Sequence, residues 1–108
     1  MAHYLIQAGY TAEAWKQLVK NPVDRSEMIG SVVEKLGGKL EGVWFAFGDY
    51  DVVLIAQLPD NISAAAFAAS SAAGGALRSF KTTPLLEVHE GVEALRRAAK
   101  TGYRPPGK

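Results

Sequence analysis

Apolar residues recur along this chain with two different periods, and the switches between them mark the elements. The stretch His3 to Gly9 is short, rich in β-forming residues and broken by Gly9-Tyr10-Thr11, which predicts a first strand. From Ala12 the period changes. Ala14, Trp15, Leu18 and Val19 recur at helical spacing behind Thr11 as N-cap, with Glu13 in the first turn, where the helix dipole favours a carboxylate. Pro22 interrupts this helix. Asp24-Arg25-Ser26-Glu27 then has the spacing of a capping box and opens a stripe of period 3.6, Met28, Ile29, Val32, Val33 and Leu36, which Gly37-Gly38 ends.

Lys39 to Phe47 and Tyr50 to Leu58 read as two strands joined by Gly48-Asp49, a two-residue hairpin turn of the type that needs glycine first. Pro59-Asp60-Asn61 stops the second strand and caps a helix from about Ile62. That helix is alanine- and serine-rich up to Gly74-Gly75 and closes around Ala76 to Phe80. Thr82 to Val88 is the fourth strand. Val92, Leu95, Arg96, Ala98 and Ala99 predict a short C-terminal helix that stops at Gly102. The pattern therefore gives one domain over residues 1–102 and a flexible tail over 103–108. Its class is α+β with the order βαββαβ. Right-handed crossovers on either side of the central hairpin give a four-stranded antiparallel sheet with two helices on one face, plus the short C-terminal helix.

A turn at Gly48-Asp49 sets Phe47 opposite Tyr50, Phe45 opposite Val52 and Val43 opposite Leu54, all on the helix-packed face. Alternation sends Trp44, Ala46, Asp51, Val53, Ile55 and Gln57 to the other face, joined by His3, Leu5, Gln7, Glu87 and His89. That face is half apolar and half polar, and the helices do not cover it. A sheet of this size rarely leaves such a face in water, so a homo-oligomeric partner or a small-molecule ligand is expected on it. Two readings of its polar residues stand side by side. In one, His3, Gln7, Trp44, Asp51, Gln57, Glu87 and His89 line a ligand cavity in which Asp51 or a histidine works as acid or base. In the other, the histidines are solvated, the glutamines hydrogen-bond across a subunit interface, Trp44 anchors that interface, and Asp51 accepts from backbone amides near the turn. The second is the simpler, because nothing here has triad spacing.

Composition narrows the field further. With 48% hydrophobic and 21% charged residues the chain is ordinary globular protein, and its net charge of +1 leaves no broad basic footprint for nucleic acid. Base-stacking on a sheet of this order needs aromatics exposed on the middle strands, whereas Phe45 and Phe47 are expected on the helix side, so no nucleic-acid partner is expected. Absence of cysteine removes disulfides, thiolate nucleophiles and cysteine metal sites, and fits the expected cytoplasmic location. Two histidines do not make a metal site, and no cofactor is expected. No apolar run approaches the roughly 18 residues of a membrane span, and the N-terminus reads as a strand, not a signal peptide.

One segment resembles a known family. Gly37-Gly38-Lys39-Leu40-Glu41-Gly42, followed by Phe47-Gly48-Asp49-Tyr50-Asp51-Val52-Val53, is similar to the GYD family of small bacterial proteins, named for a Gly, a Tyr and an Asp that match Gly48, Tyr50 and Asp51 here. The likeness runs from the first strand through Arg78-Ser79-Phe80-Lys81-Thr82-Thr83. It implies a ferredoxin-like domain in the group of dimeric α+β barrels, in which two sheets meet through their helix-free faces. It brings no catalytic residue and no cofactor. Related barrels include cofactor-independent monooxygenases and haem-degrading enzymes, but that is an analogy of fold, which does not fix chemistry. Whether the chain is an enzyme stays open at this point.

Overall fold

Tyr4, Ile6, Ala8 and Tyr10 alternate with His3, Leu5 and Gln7, and this makes β1 (Ala2–Tyr10) a strand with one dry face and one half-wet face. The computed structural model describes residues 1–107. Thr11 caps α1 (Ala12–Lys20) as its side chain implies, its hydroxyl accepting the Ala14 amide at 3.1 Å. Ala14, Trp15 and Leu18 of that helix lie on Ala8, Tyr10 and Val52. A break over residues 21–25 leads into α2 (Ser26–Lys35), so the first crossover carries two helices. The expected capping box does not form there. Asp24 instead accepts the Ser26 amide at 2.9 Å, two residues on, which leaves Arg25 as an N-cap without a side-chain bond. At the other end of α2 the Gly38 amide donates to Val33 O and the Gly37 amide to Glu34 O, the Schellman pattern.

Next come β2 (Lys39–Phe45), β3 (Val52–Leu58), α3 (Asn61–Ala73), β4 (Leu77–Leu85) and α4 (Val88–Ala98). The sheet order is β2-β3-β1-β4 with every neighbouring pair antiparallel. Each crossover skips one strand, which makes this the ferredoxin-like βαββαβ arrangement. The main core lies between the sheet and α2 and α3. Tyr4, Ile6, Leu54, Ala56 and Leu58 meet Val33, Ala64 and Phe67 there. Ile6 and Leu58 are wholly buried, and each side chain contributes about 1.5–3 kcal/mol of apolar transfer energy. Tyr4 stays polar at its tip, its hydroxyl donating to Asn61 Oδ1 at 2.6 Å where α3 begins.

Four expectations need correction. The hairpin register holds, with Phe45 opposite Val52 and Val43 opposite Leu54, but β2 and β3 are joined by the loop 46–51 rather than by a two-residue turn. The left-handed residue in it is Phe47, at φ +52°, and not Gly48. The ring of Phe47 stacks on Phe45 and Trp15, with centroids 5.4 and 6.1 Å apart, and these contacts offset the backbone strain. Both phenylalanines are directed to the helix side, yet at 53% and 72% exposure neither is core. The second crossover helix ends at Ala73 and β4 begins at Leu77, five residues before Thr82. A bulge opposite Gly9 and Tyr10 puts Leu77 and Phe80 on the same side and so hides the alternation. Finally, β4 stops at Leu85, and Glu87 and His89 leave the sheet. Glu87 is the N-cap of α4, in a reciprocal capping box with Glu90. Residues 103–107 carry no helix or strand, and the expected tail's last residue, Lys108, lies outside the described residues.

The radius of gyration is 17.3 Å, against about 13 Å for a compact chain of about 100 residues, and α4 buries none of its residues. No helix among the described residues is long and apolar enough to cross a membrane.

Asp60 caps α3 by accepting the Ser63 amide at 2.8 Å; that backbone bond, and then one to the Ser63 side chain, holds its carboxyl below the usual carboxylate range. A depressed folded-state pKa gives stability that is full above about pH 4 and lost as pH falls through the folded value. Asp60→Ala therefore melts below the wild type at neutral pH. The gap between the two melting curves closes progressively as the pH is lowered below about 4.

Candidate functional site

Strand β1 runs through the middle of the helix-free face. On one side His3, Leu5 and Gln7 lie opposite Gln57, Ile55 and Val53, and on the other they face Leu85, Thr83 and Lys81. Trp44 extends the apolar centre from β2, opposite Val53. Its indole folds back across Gly42, where a Cβ would stand 2.5 Å from the ring, so only glycine leaves room for this pose. More than half of the tryptophan, 55%, is open to solvent.

A polar cluster closes one end of this face. His3 Nε2 lies 2.9 Å from Glu41 Oε1, and His3 Nδ1 lies 3.6 Å from Glu87 Oε1. Gln57 Nε2 donates to the same Glu41 oxygen at 2.7 Å. Three of the sequence-predicted residues, His3, Gln57 and Glu87, are thus brought together. Glu87 arrives as a helix cap and not as a strand residue. Glu41 is the residue that sequence reasoning missed. It is the extra residue of a bulge between Leu40 and Gly42, and alternation carries no signal for a bulge. An imidazole between two carboxylates can accept or release a proton while its ring is held in one orientation. No group of three or more His, Asp or Glu side chains placed to hold a metal ion occurs among the described residues. Gln7 and Trp44 share the face but stand nearer its centre. His89 is exposed on α4 and joins none of them, because the chain has turned into a helix before reaching it.

Asp51 occupies the opposite end and is 6% exposed. Its Oδ2 accepts the Tyr10 amide at 2.8 Å and Arg78 Nη2 at 3.3 Å, while its own amide donates to Ala8 O at 2.8 Å. Arg78 also donates to Asp49 O at 3.2 Å. The guanidinium passes directly over Gly9, where a Cβ would come within 2.6 Å of it. This geometry answers a specific need. The pairing of β1 with β3 ends at Ala8 and Val52, and the carboxylate takes up the Tyr10 amide just beyond that end. Asp51 is therefore a structural acceptor that locks the loop 46–51 to β1. The Tyr10 phenol nearby has its pKa raised, first by burial and also by the Asp51 charge, with Arg25 acting in the opposite direction.

A four-stranded ferredoxin-like sheet with its helices on one side and a clamped 48–51 loop defines the class of domain. The GYD domain profile matches residues 4–95, and the chain belongs to the GYD domain family. Comparison with curated proteins gives no match. Among solved structures, the fold is similar to that in the crystal structure of MtbAldR, with a TM-score of 0.55 and 16% identity over 80% of this chain. The match covers 52% of that protein, so this chain spans about half of its length. The likeness is one of fold.

Asp51→Ala leaves the Tyr10 amide without its partner at a buried position, and the expected cost is about 1–3 kcal/mol in urea unfolding. Asp51→Asn keeps an oxygen for that amide and costs less. An unchanged midpoint for the alanine variant would show that the clamp does not hold the loop.

Proposed function

We propose that this chain works as a self-associating domain whose helix-free sheet face is completed by a second copy. The observation that carries the reading is the apolar band of Leu5, Val53, Ile55 and the half-exposed Trp44. The helices α1, α2 and α3 lie on the other side of the sheet, and α4 buries no residue against the band. Burying such a band is favourable in proportion to its area, and a two-fold interface places the same patch on both sides. The C-terminal helix supports the same conclusion. An isolated helix of 11 residues is shorter than the roughly 12–15 that are marginal in water, and Val88, Val92 and Leu95 lie along one side of α4 at i, i+4 and i+7. Packing for that stripe comes from outside its own fold. In the pair, His3, Glu41 and Gln57 sit at the polar rim, where hydrogen bonds across the boundary set the register.

Light scattering at micromolar concentration is expected to give a particle of at least twice the 11.5 kDa chain mass. Ile55→Glu places a charge in the centre of the band and is expected to yield a folded particle of 11.5 kDa, with its circular dichroism retained. A wild-type particle of 11.5 kDa overturns the proposal.

A second reading has one specific observation in its favour, the imidazole of His3 between two carboxylates. Here the paired sheets enclose a small molecule, Trp44 is its flat apolar wall, Gln7 and Gln57 hydrogen-bond to it, and His3 moves a proton. A thermal-shift screen of small organic compounds tests it. A compound that raises the melting temperature of the wild type but not of His3→Ala supports it, and a screen without any such compound removes its basis.

A further inference from the structure

On the helix side of the sheet, α2 and α3 stand apart and leave an open cleft of about 360 Å³. Ile6, Ala8, Leu54 and Phe67 lie beneath it as buried core, and its open walls are Met28 and Val32 on α2 with Leu77 and Phe80 on β4. The width follows from the sequence of α3. Beyond Phe67 the face turned to the cleft continues with Ser71 and then Gly74, which are too small to reach across to α2. A second hollow, of about 430 Å³, lies under the α1–α2 connection and shares Tyr10, Arg25, Ile29 and Val52 with the first. These volumes fall at the small end of the range for ligand sites, roughly 300–1,000 Å³.

Polar groups occur where the two hollows meet. Arg25 forms no ion pair among the described residues, and the one hydrogen bond of its guanidinium there is to Met28 Sδ, at 3.9 Å. The nearest carboxylate in sequence, Asp24, is occupied by the Ser26 amide and lines only the second hollow. The Tyr10 hydroxyl makes no hydrogen bond among the described residues. A free guanidinium beside a free phenol, at the mouth of an apolar cleft, is complementary to a carboxylate that carries an apolar body.

We propose that the α2–α3 cleft binds a small amphipathic monocarboxylate, its apolar body against Met28, Val32, Leu77 and Phe80 and its carboxylate on Arg25 and the Tyr10 hydroxyl. The site is on the opposite side of the sheet from the self-association face, so either can fail without the other. Arg25 supplies the charge recognition with two parallel donors, and Tyr10 donates a third hydrogen bond. The carboxylate replaces the solvent around these groups, and the chain enters the hollow that the small residues of α3 leave unfilled.

Decanoate is the probe and decanol its uncharged control, titrated into the full chain while amide resonances are followed by NMR. Decanoate is expected to saturate, with shifts confined to residues of α2, α3 and the floor strands, and to bind at least tenfold more tightly than decanol. Arg25→Gln is expected to remove that tenfold preference while leaving decanol binding unchanged. Ser71→Phe, which fills the cleft from the same helix face as Phe67, is expected to abolish binding of both while circular dichroism stays unchanged. Equal affinity for decanoate and decanol, an Arg25→Gln variant that keeps the preference, or no saturation at all overturns the proposal. Shifts in α4 accompanied by a change in particle mass would identify the occupant as a partner's helix, and that result overturns it too.

Discussion

A four-stranded sheet has two faces, and three helices can dry only one of them. Every other feature of this molecule follows from that imbalance. On the helix side β1 and β3 send Tyr4, Ile6, Leu54, Ala56 and Leu58 into contact with α2 and α3, and this is where the chain's own stability resides. On the far side the same two strands present Leu5, Val53 and Ile55 between a polar cluster at one end and the Asp51 clamp at the other. The strands therefore specify an internal core and an exposed apolar band with one alternating pattern, and a shift of register would exchange the two.

The two ends of the helix-free face differ in chemistry because they answer different constraints. Near Asp51 the pairing of β1 with β3 ends, and there a buried carboxylate accepts the Tyr10 amide while Arg78 bridges it to the Asp49 carbonyl. Those groups are consumed by structure. Near His3 the partners are side chains that remain partly open to water, so their hydrogen-bonding capacity is available to something beyond the chain. Asp51 thus holds the hairpin loop, while the polar side chains at the other end of the sheet stay partly open to water.

Much of this was legible in the residues, and the departures have a common physical origin. Alternation in β1 and β3, the cap at Thr11 and the register of Phe45 with Val52 are local signals, and they carry through to the structure. Bulges are different, since one added residue reverses the parity that the reading depends on. The bulge opposite Gly9 and Tyr10 masked the start of β4, and the one at Glu41 concealed the carboxylate that contacts His3. Extrapolating strand parity past Leu85 placed Glu87 and His89 on the sheet, whereas a capping box had already turned the chain into α4. On α3 the small Ala64 lies in the core, while Ser71 and Gly74 leave a hollow beside α2, because volume is a property of facing elements and not of one helix alone.

The extra residue at Glu41 also constrains how this chain can vary. Upstream of it Leu40 packs beside the core, and downstream Val43 does the same, although two residues lie between them where a regular strand places one or three between positions on one face. Deleting Glu41 alone while the hairpin stays in place would leave Leu40 opposite Ala56 on the dry face and Gly42 opposite Ile55 on the wet one, and so restore plain alternation. A strand one residue shorter at this point would therefore keep both of its faces and lose only the carboxylate that contacts His3.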